Sequence, residues 1–188
     1  MGKIVVTEFM SLDGVVEDPG GAEGYEHGGW SFEISRGEEG DRFKLEETLA
    51  SDALLLGRTT YEGFADAWPQ REGEFADKFN TMPKYVVSST LRDPEWTNTA
   101  VVDGDLAQAV ADIKAKHDGD IVVHGSVQLA QALLAQDLVD ELRLMVFPVV
   151  LGSGKRLFDA QGGKKALRLS ESKTVGEGVA ILVYEPAR

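Results

Sequence analysis

Three short stretches set hydroxyl side chains, two of them with glycine and one with a cation, at a strand end in a way that suits an anion. Within residues 51–64 (SDALLLGRTTYEGF) a continuous apolar run, 53–56, is stopped by Gly57 and followed by Arg58, Thr59 and Thr60. A helix opening near Arg58 presents unpaired backbone amides, two hydroxyls and a guanidinium just beyond a strand end. The same residues would also make an ordinary strand-to-helix turn with a solvated arginine. Lys84-Tyr85-Val86-Val87 is followed at once by Ser88-Ser89-Thr90, three hydroxyls that meet a ligand or simply bond the local backbone as a turn. Residues 120–124 run into Gly125-Ser126, where glycine admits close approach and the serine is an N-cap, a phosphate ligand or both.

Three other side chains could take part in chemistry. Asp13 lies in Ser11-Leu12-Asp13-Gly14, at the end of the first strand, as a turn residue or as a carboxylate that binds donors or relays a proton. His124 ends the strand before Gly125, either as an acid or base or as a satisfied structural residue. Trp30 closes a glycine-rich loop, residues 20–29, as an aromatic wall over a pocket or as core. Other chemistries are excluded. The three histidines have neither metal-ligand spacing nor cysteine partners, and no Gly-x-Ser-x-Gly follows a strand. Gly152-Ser153-Gly154-Lys155 fails as a phosphate-binding Walker loop, because Val149 and Arg156 stand where glycine and a hydroxyl are needed. It also fails as a dinucleotide fingerprint, with Leu157 in the place of the third glycine.

These residues need a scaffold of alternating strands and helices. β-Branched residues at 3–9 predict a central first strand, and Phe43, Leu45 and Leu49 among charges predict a helix over 40–49 with one apolar side. A short helix follows residue 58, a charged helix or loop covers 72–80, and strands are expected at 84–87 and 99–102. Asp105 N-caps a helix over 105–117, and residues 127–135 form another helix with Leu129, Leu133 and Leu134 inward. Residues 138–150 read as a long strand interrupted by Pro148. Strands at 167–175 and 179–184 around Gly176-Glu177-Gly178 close the chain as an antiparallel hairpin on a largely parallel sheet.

Composition sets the class. A chain of 188 residues, 43% hydrophobic and 27% charged, reads as one globular domain over residues 1–188. A formal charge of -13 argues against nucleic-acid or anionic-membrane partners, which need a basic face. No cysteine, no apolar run of spanning length and no basic leader segment point to a cytoplasmic protein.

Taken in order, Ser11-Leu12-Asp13-Gly14, the segment from Asp52 through Gly57-Arg58-Thr59-Thr60-Tyr61-Glu62, Val87-Ser88-Ser89-Thr90-Leu91 and Pro148-Val149-Val150-Leu151-Gly152-Ser153-Gly154 resemble the dihydrofolate reductase superfamily. The similarity is greatest to the branch of the riboflavin-biosynthesis reductase domain. The resemblance implies a three-layer α/β/α fold with a mixed central sheet and a C-terminal antiparallel hairpin, a homodimer, and NADPH as hydride donor. It implies that Gly57, Arg58 and Thr60 bind cofactor phosphates, that Ser88 and Ser89 hold the 2'-phosphate with the arginine, and that Gly125 and Ser126 receive the pyrophosphate. On the substrate side it implies Asp13; Trp30 and His124 are the further pocket candidates on their own chemistry. Asp41 lies at a distance from Gly57 comparable to that of the folate reductases' acid, in a different local sequence where it reads as a solvated helix-start residue. Thr7 and His124 stand where the riboflavin branch carries lysine and glutamate. The expected activity is thus reduction of a small heterocycle or carbonyl, resembling 5-amino-6-(5-phosphoribosylamino)uracil reductase. A non-catalytic nucleotide-binding dimer and folate reduction are the alternatives.

Overall fold

The computed structural model describes residues 1–158 and 163–187. Runs of β-branched and leucine residues form strands whose centres are sealed on both faces; Ile4, Val5 and Val6 and the stretch Ala53 to Leu56 have no exposed surface. The strands are β1 (Lys3–Ser11), β2 (Ser51–Gly57), β3 (Lys84–Val87), β4 (Thr99–Val102), β5 (Asp120–His124), β6 (Glu141–Phe147), β7 (Leu167–Val175) and β8 (Val179–Pro186). They make one mixed sheet in the order β4-β3-β2-β5-β1-β6-β8-β7. The first six strands run parallel, β8 is antiparallel to β6, and β7 to β8. The final hairpin turns on Gly176 and Gly178, both at positive φ. β6 ends before Pro148, so the long strand expected over 138–150 is shorter at both ends.

Helices α1 (Gly37–Ala50), α2 (Arg58–Ala67), α3 (Glu74–Thr81), α4 (Leu106–Lys116) and α5 (Val127–Ala135) cover the sheet. The Asp105 carboxylate caps α4 by accepting from the Gln108 amide at 2.8 Å. Val110 and Ile113 of α4 and Leu129, Ala130 and Leu133 of α5 pack on Ile4, Val6, Leu55 and Val123. Tyr61 of α2 and Phe79 of α3 pack on the other face, against Leu54, Leu56 and Val86. Helix α1 lies on that second face beside α3. The result is the three-layer arrangement. Among the described residues no helix is long and apolar enough to cross a membrane.

Helix α1 departs from the expected pattern. Its buried residues are Gly40, Lys44, Glu47 and Thr48, while Leu49 is 37% exposed. A polar stripe recurring at helical spacing faces inward because the strands beneath it also present polar side chains, Thr7 of β1 and Arg143 of β6.

The chain leaves β2 through α2 toward β3 and leaves β5 through α5 toward β6, so the two helices depart on opposite faces. A crevice opens at the C-terminal ends of the central strands, where open α/β sheets bind ligands.

Candidate functional site

At the crevice the turns after β2, β3 and β5 are joined by hydrogen bonds. The Gly57 amide donates to Ser126 Oγ at 2.9 Å, and the Ser126 amide donates to Thr60 Oγ1 at 3.0 Å. Arg58 donates from its NH1 to Thr90 Oγ1 at 2.6 Å and from Nε to Glu62 at 2.7 Å. Ser88 Oγ accepts from the Thr90 and Leu91 amides at 3.2 and 3.0 Å. Gly57, Arg58, Thr60, Ser88, Gly125 and Ser126 are therefore neighbours. Ser89 is exposed beside them, and the hydroxyl that meets the arginine belongs to Thr90, one residue further on.

Local geometry explains the residue types. Gly125 and Ser126 both take positive φ, 57° and 54°. A side chain on Gly125 would also place its Cβ 3.4 Å from Thr60 Oγ1. For Ser126 the left-handed backbone costs about 1 to 2 kcal/mol, offset by the bonds to Gly57 and Thr60. Its hydroxyl ties two turns together in place of the expected N-cap; neither α2 nor α5 has a side-chain cap. Both helices thus open toward the crevice with first-turn amides that no capping side chain occupies, beside a half-exposed guanidinium. That donor set fits the phosphates of a dinucleotide. A cleft of about 450 Å³ at the start of α5, lined by Val127, Gln128, Gln131, Lys155 and Arg156, adds two cations. A larger hollow of about 680 Å³ lies between Asp66, Asn80, Glu95 and Trp96 and has two carboxylates and no cation in its lining. It does not suit phosphate. Among the described residues no group of three or more histidine or carboxylate side chains could hold a metal ion.

At the end of β1 the Asp13 carboxylate accepts from Ser11 Oγ at 2.7 Å and from the Leu151 and Gly152 amides at 3.1 and 2.8 Å. Those bonds, the serine's first, lower its pKa to about 2. It braces the Ser11–Gly14 turn against the loop after β6, and a carboxylate so held carries no proton near neutrality. Trp30 is 1% exposed, sits edge-on to Phe147 and donates Nε1–H to the Glu17 carbonyl at 2.8 Å. It is core, and the aromatic wall over a pocket is corrected accordingly: its indole is the natural filler for the space between β6 and the loop. Asp41 is a solvated acid paired with Arg36 at 2.6 Å, outside the buried polar stripe of α1.

His124 pairs across the sheet with Thr7 and faces α1. Burial, with Lys44 and Arg143 nearby, lowers its pKa to about 3 against the opposing effect of Glu47. It packs against Phe79 at 5.2 Å, and its Nε2 is buried without a partner. A ring held neutral in this way is no general acid at physiological pH. Around it lies an ionic cluster not anticipated from the sequence. Lys44 pairs with Glu47 and donates to Thr7 Oγ1 at 2.9 Å. Arg143 reaches Glu47 at 3.4 Å, Asp120 at 2.8 Å and Glu141 at 2.6 Å. Burial alone would raise the Glu47 pKa, but the charges of Lys44 and Arg143 outweigh it and lower it. One signal points here, the spacing of Gly40, Lys44 and Glu47 on one side of α1.

The family model of the RibD C-terminal domain matches residues 2–181. An uncharacterized Bacillus subtilis protein, YyaP, is 30% identical over 139 residues, 71% of this chain and 73% of that protein. A putative riboflavin biosynthesis protein from Shewanella sp. PV-4 superposes with a TM-score of 0.79 at 23% identity, covering 99% of both chains. Acinetobacter baumannii RibD superposes at 0.64 and 15% identity, covering all of this chain and 59% of that one. With the family model spanning nearly the whole sequence, the chain belongs to the RibD C-terminal domain family.

Proposed function

We propose that the protein is an NADPH-dependent reductase of a small heterocyclic or carbonyl compound, of the same type as 5-amino-6-(5-phosphoribosylamino)uracil reductase. The observation that carries this reading is the junction of three turns at the crevice, Gly57-Arg58-Thr60, Ser88 to Thr90 and Gly125-Ser126. Arg58 and the adjoining hydroxyls suit the extra phosphate that separates NADPH from NADH, while the α2 and α5 amides suit the pyrophosphate. NADPH bound there supplies a hydride; the chain orients the substrate and excludes water. Folate reduction is disfavoured by Asp41, whose carboxylate faces solvent and Arg36. The homodimer belongs to the same proposal, supported by the exposed edge strand β7 with Leu167 and Leu169 open. So does a cytoplasmic location, where a cysteine-free protein has access to NADPH.

Titrating NADPH and NADH against the wild type and Arg58→Ala tests the cofactor. NADPH is expected to bind more tightly, and the loss of one charge-assisted contact to cost about tenfold or more. Equal wild-type affinities would remove the assignment. NADPH oxidation against pyrimidine, pterin and small carbonyl compounds then separates a reductase from a protein that binds the nucleotide without turnover.

A further inference from the structure

Among the described residues three buried side-chain polar atoms have no hydrogen-bond partner: Glu8 Oε1, Thr48 Oγ1 and His124 Nε2. Such atoms are costly and rare in a folded core, and each calls for a reason. His124 and Thr48 lie on the α1 side of the sheet, beside Lys44 and Glu47, whereas Glu8 stands across the β1–β5 seam with its side chain on the opposite face.

Glu8 holds a singular place. The β1–β5 ladder ends at Thr7↔His124, so Glu8 is the first β1 residue without a strand on that side, while β6 still pairs with it at Leu144. Its backbone therefore forms a lip of the crevice. Strand alternation sets its side chain opposite to that of Thr7, between Val6 and Met10, which belong to the core under α5. The residue is 4% exposed. The charged groups near it are Lys44 from α1 and Glu23 from the glycine-rich loop. Burial first, and then Glu23, raise its pKa well above the ordinary carboxylate range against the pull of Lys44. Of the three orphaned groups only this one is a carboxyl, and its surroundings raise its affinity for a proton. Thr48 does not ionise near neutrality, and the His124 ring stays unprotonated.

We propose that Glu8 is the proton donor of the reduction, its carboxyl supplying the proton that accompanies the hydride. This rests on the reductase reading above. The electrophilic carbon of the substrate gains a hydride from NADPH, whose ring is oxidised by two electrons as its C–H bond breaks. The π pair of the substrate's C=O or C=N bond moves to the heteroatom, which takes the Glu8 proton. The substrate is reduced by two electrons, and the Glu8 carboxylate regains a proton from water.

The test compares wild type, Glu8→Gln and Glu8→Asp by infrared spectroscopy and NADPH titration. The wild type should show a protonated-carboxyl C=O band at pH 7 that moves when NADPH is added. That band should vanish in Glu8→Gln and change frequency in Glu8→Asp, so the assignment survives if one variant fails to fold. NADPH affinity should stay within about twofold. With an acceptor from the oxidation panel, turnover should fall about a hundredfold or more in Glu8→Gln and recover in part in Glu8→Asp. No band at neutral pH, a band indifferent to bound NADPH, or undiminished turnover in Glu8→Gln would each overturn the assignment while leaving the cofactor reading intact. Failure of the wild type to bind NADPH would overturn the reductase reading, and the donor role with it.

Discussion

Lys84 and Lys44 are both buried on the side of the sheet covered by α1, α2 and α3, yet their surroundings differ. Lys84 has no exposed surface; its ammonium donates to the Asn80, Met82 and Thr97 carbonyls at 3.1, 2.9 and 2.9 Å and lies 4.3 Å from the Trp96 ring centre. It fastens the end of α3, the start of β3 and the loop before β4 into one knot, at the end of the sheet away from the crevice. Lys44 sits under the crevice in a cluster with Thr7, Glu47 and Arg143 that leaves His124 Nε2 and Thr48 Oγ1 unpaired. The difference teaches where each kind of polarity belongs. A charge whose every donor has an acceptor is a brace; charges grouped around orphaned atoms mark the part of the fold held for something other than stability.

Four measurements break or sharpen this contrast. The largest effect is expected from Lys84→Met, which leaves three carbonyls without their charged donor and should cost about 3 to 5 kcal/mol in denaturant unfolding. NADPH affinity per folded molecule should be unchanged. A loss of affinity at full stability would contradict the brace. Lys44→Met should cost less, about 2 to 3 kcal/mol, because Arg143 still neutralises Glu47. Since Lys44 helps to lower the His124 pKa, its removal should move that pKa upward in an NMR titration; an unmoved value would detach Lys44 from the ring.

The third is a pH profile. The folded pKa of His124 is lowered from 6.5 to about 3, so the unfolded chain takes up the proton first as pH falls. The stability contributed by the neutral ring is complete above about pH 6.5 and is lost toward pH 3, at about 1.4 kcal/mol per pH unit. Lys84, lowered by burial from 10.5 to about 8, acts at the opposite end: the unfolded state binds more proton between those values, and stability rises from pH 8 to 10.5. His124→Phe should flatten the acid limb and Lys84→Met the alkaline one; limbs that survive would reassign them. The smallest change is Ser126→Ala. Losing the hydroxyl that accepts from Gly57 should cost about 1 kcal/mol and lower NADPH affinity through a looser turn. Retained affinity would make the tie between β2 and β5 structural only.

Much of this protein is written locally in its sequence. Apolar runs stopped by glycine, helices opening after them, the aspartate cap of α4 and the closing hairpin follow from side-chain period and turn chemistry within a few residues. The three turns at the crevice were legible for the same reason: Gly57-Arg58, Ser88-Ser89 and Gly125-Ser126 each announce a strand end by themselves. What each side chain does there was decided by sheet order. Ser126 meets Gly57 across 69 residues of chain, because β2 and β5 become neighbours only when the sheet is assembled. Thr90 rather than Ser89 meets Arg58, Asp13 is taken up by the loop after β6, and Trp30 is claimed by Phe147. Lys44 and Glu47 face inward against their solvated look, since a helix buries whichever stripe the sheet beneath can satisfy. Glu8 stands at the lip of the crevice because β5 ends one residue earlier. Period and turn chemistry are properties of neighbours along the chain, whereas partners, burial and proton affinity depend on strands brought together from far apart, which only the folded sheet supplies.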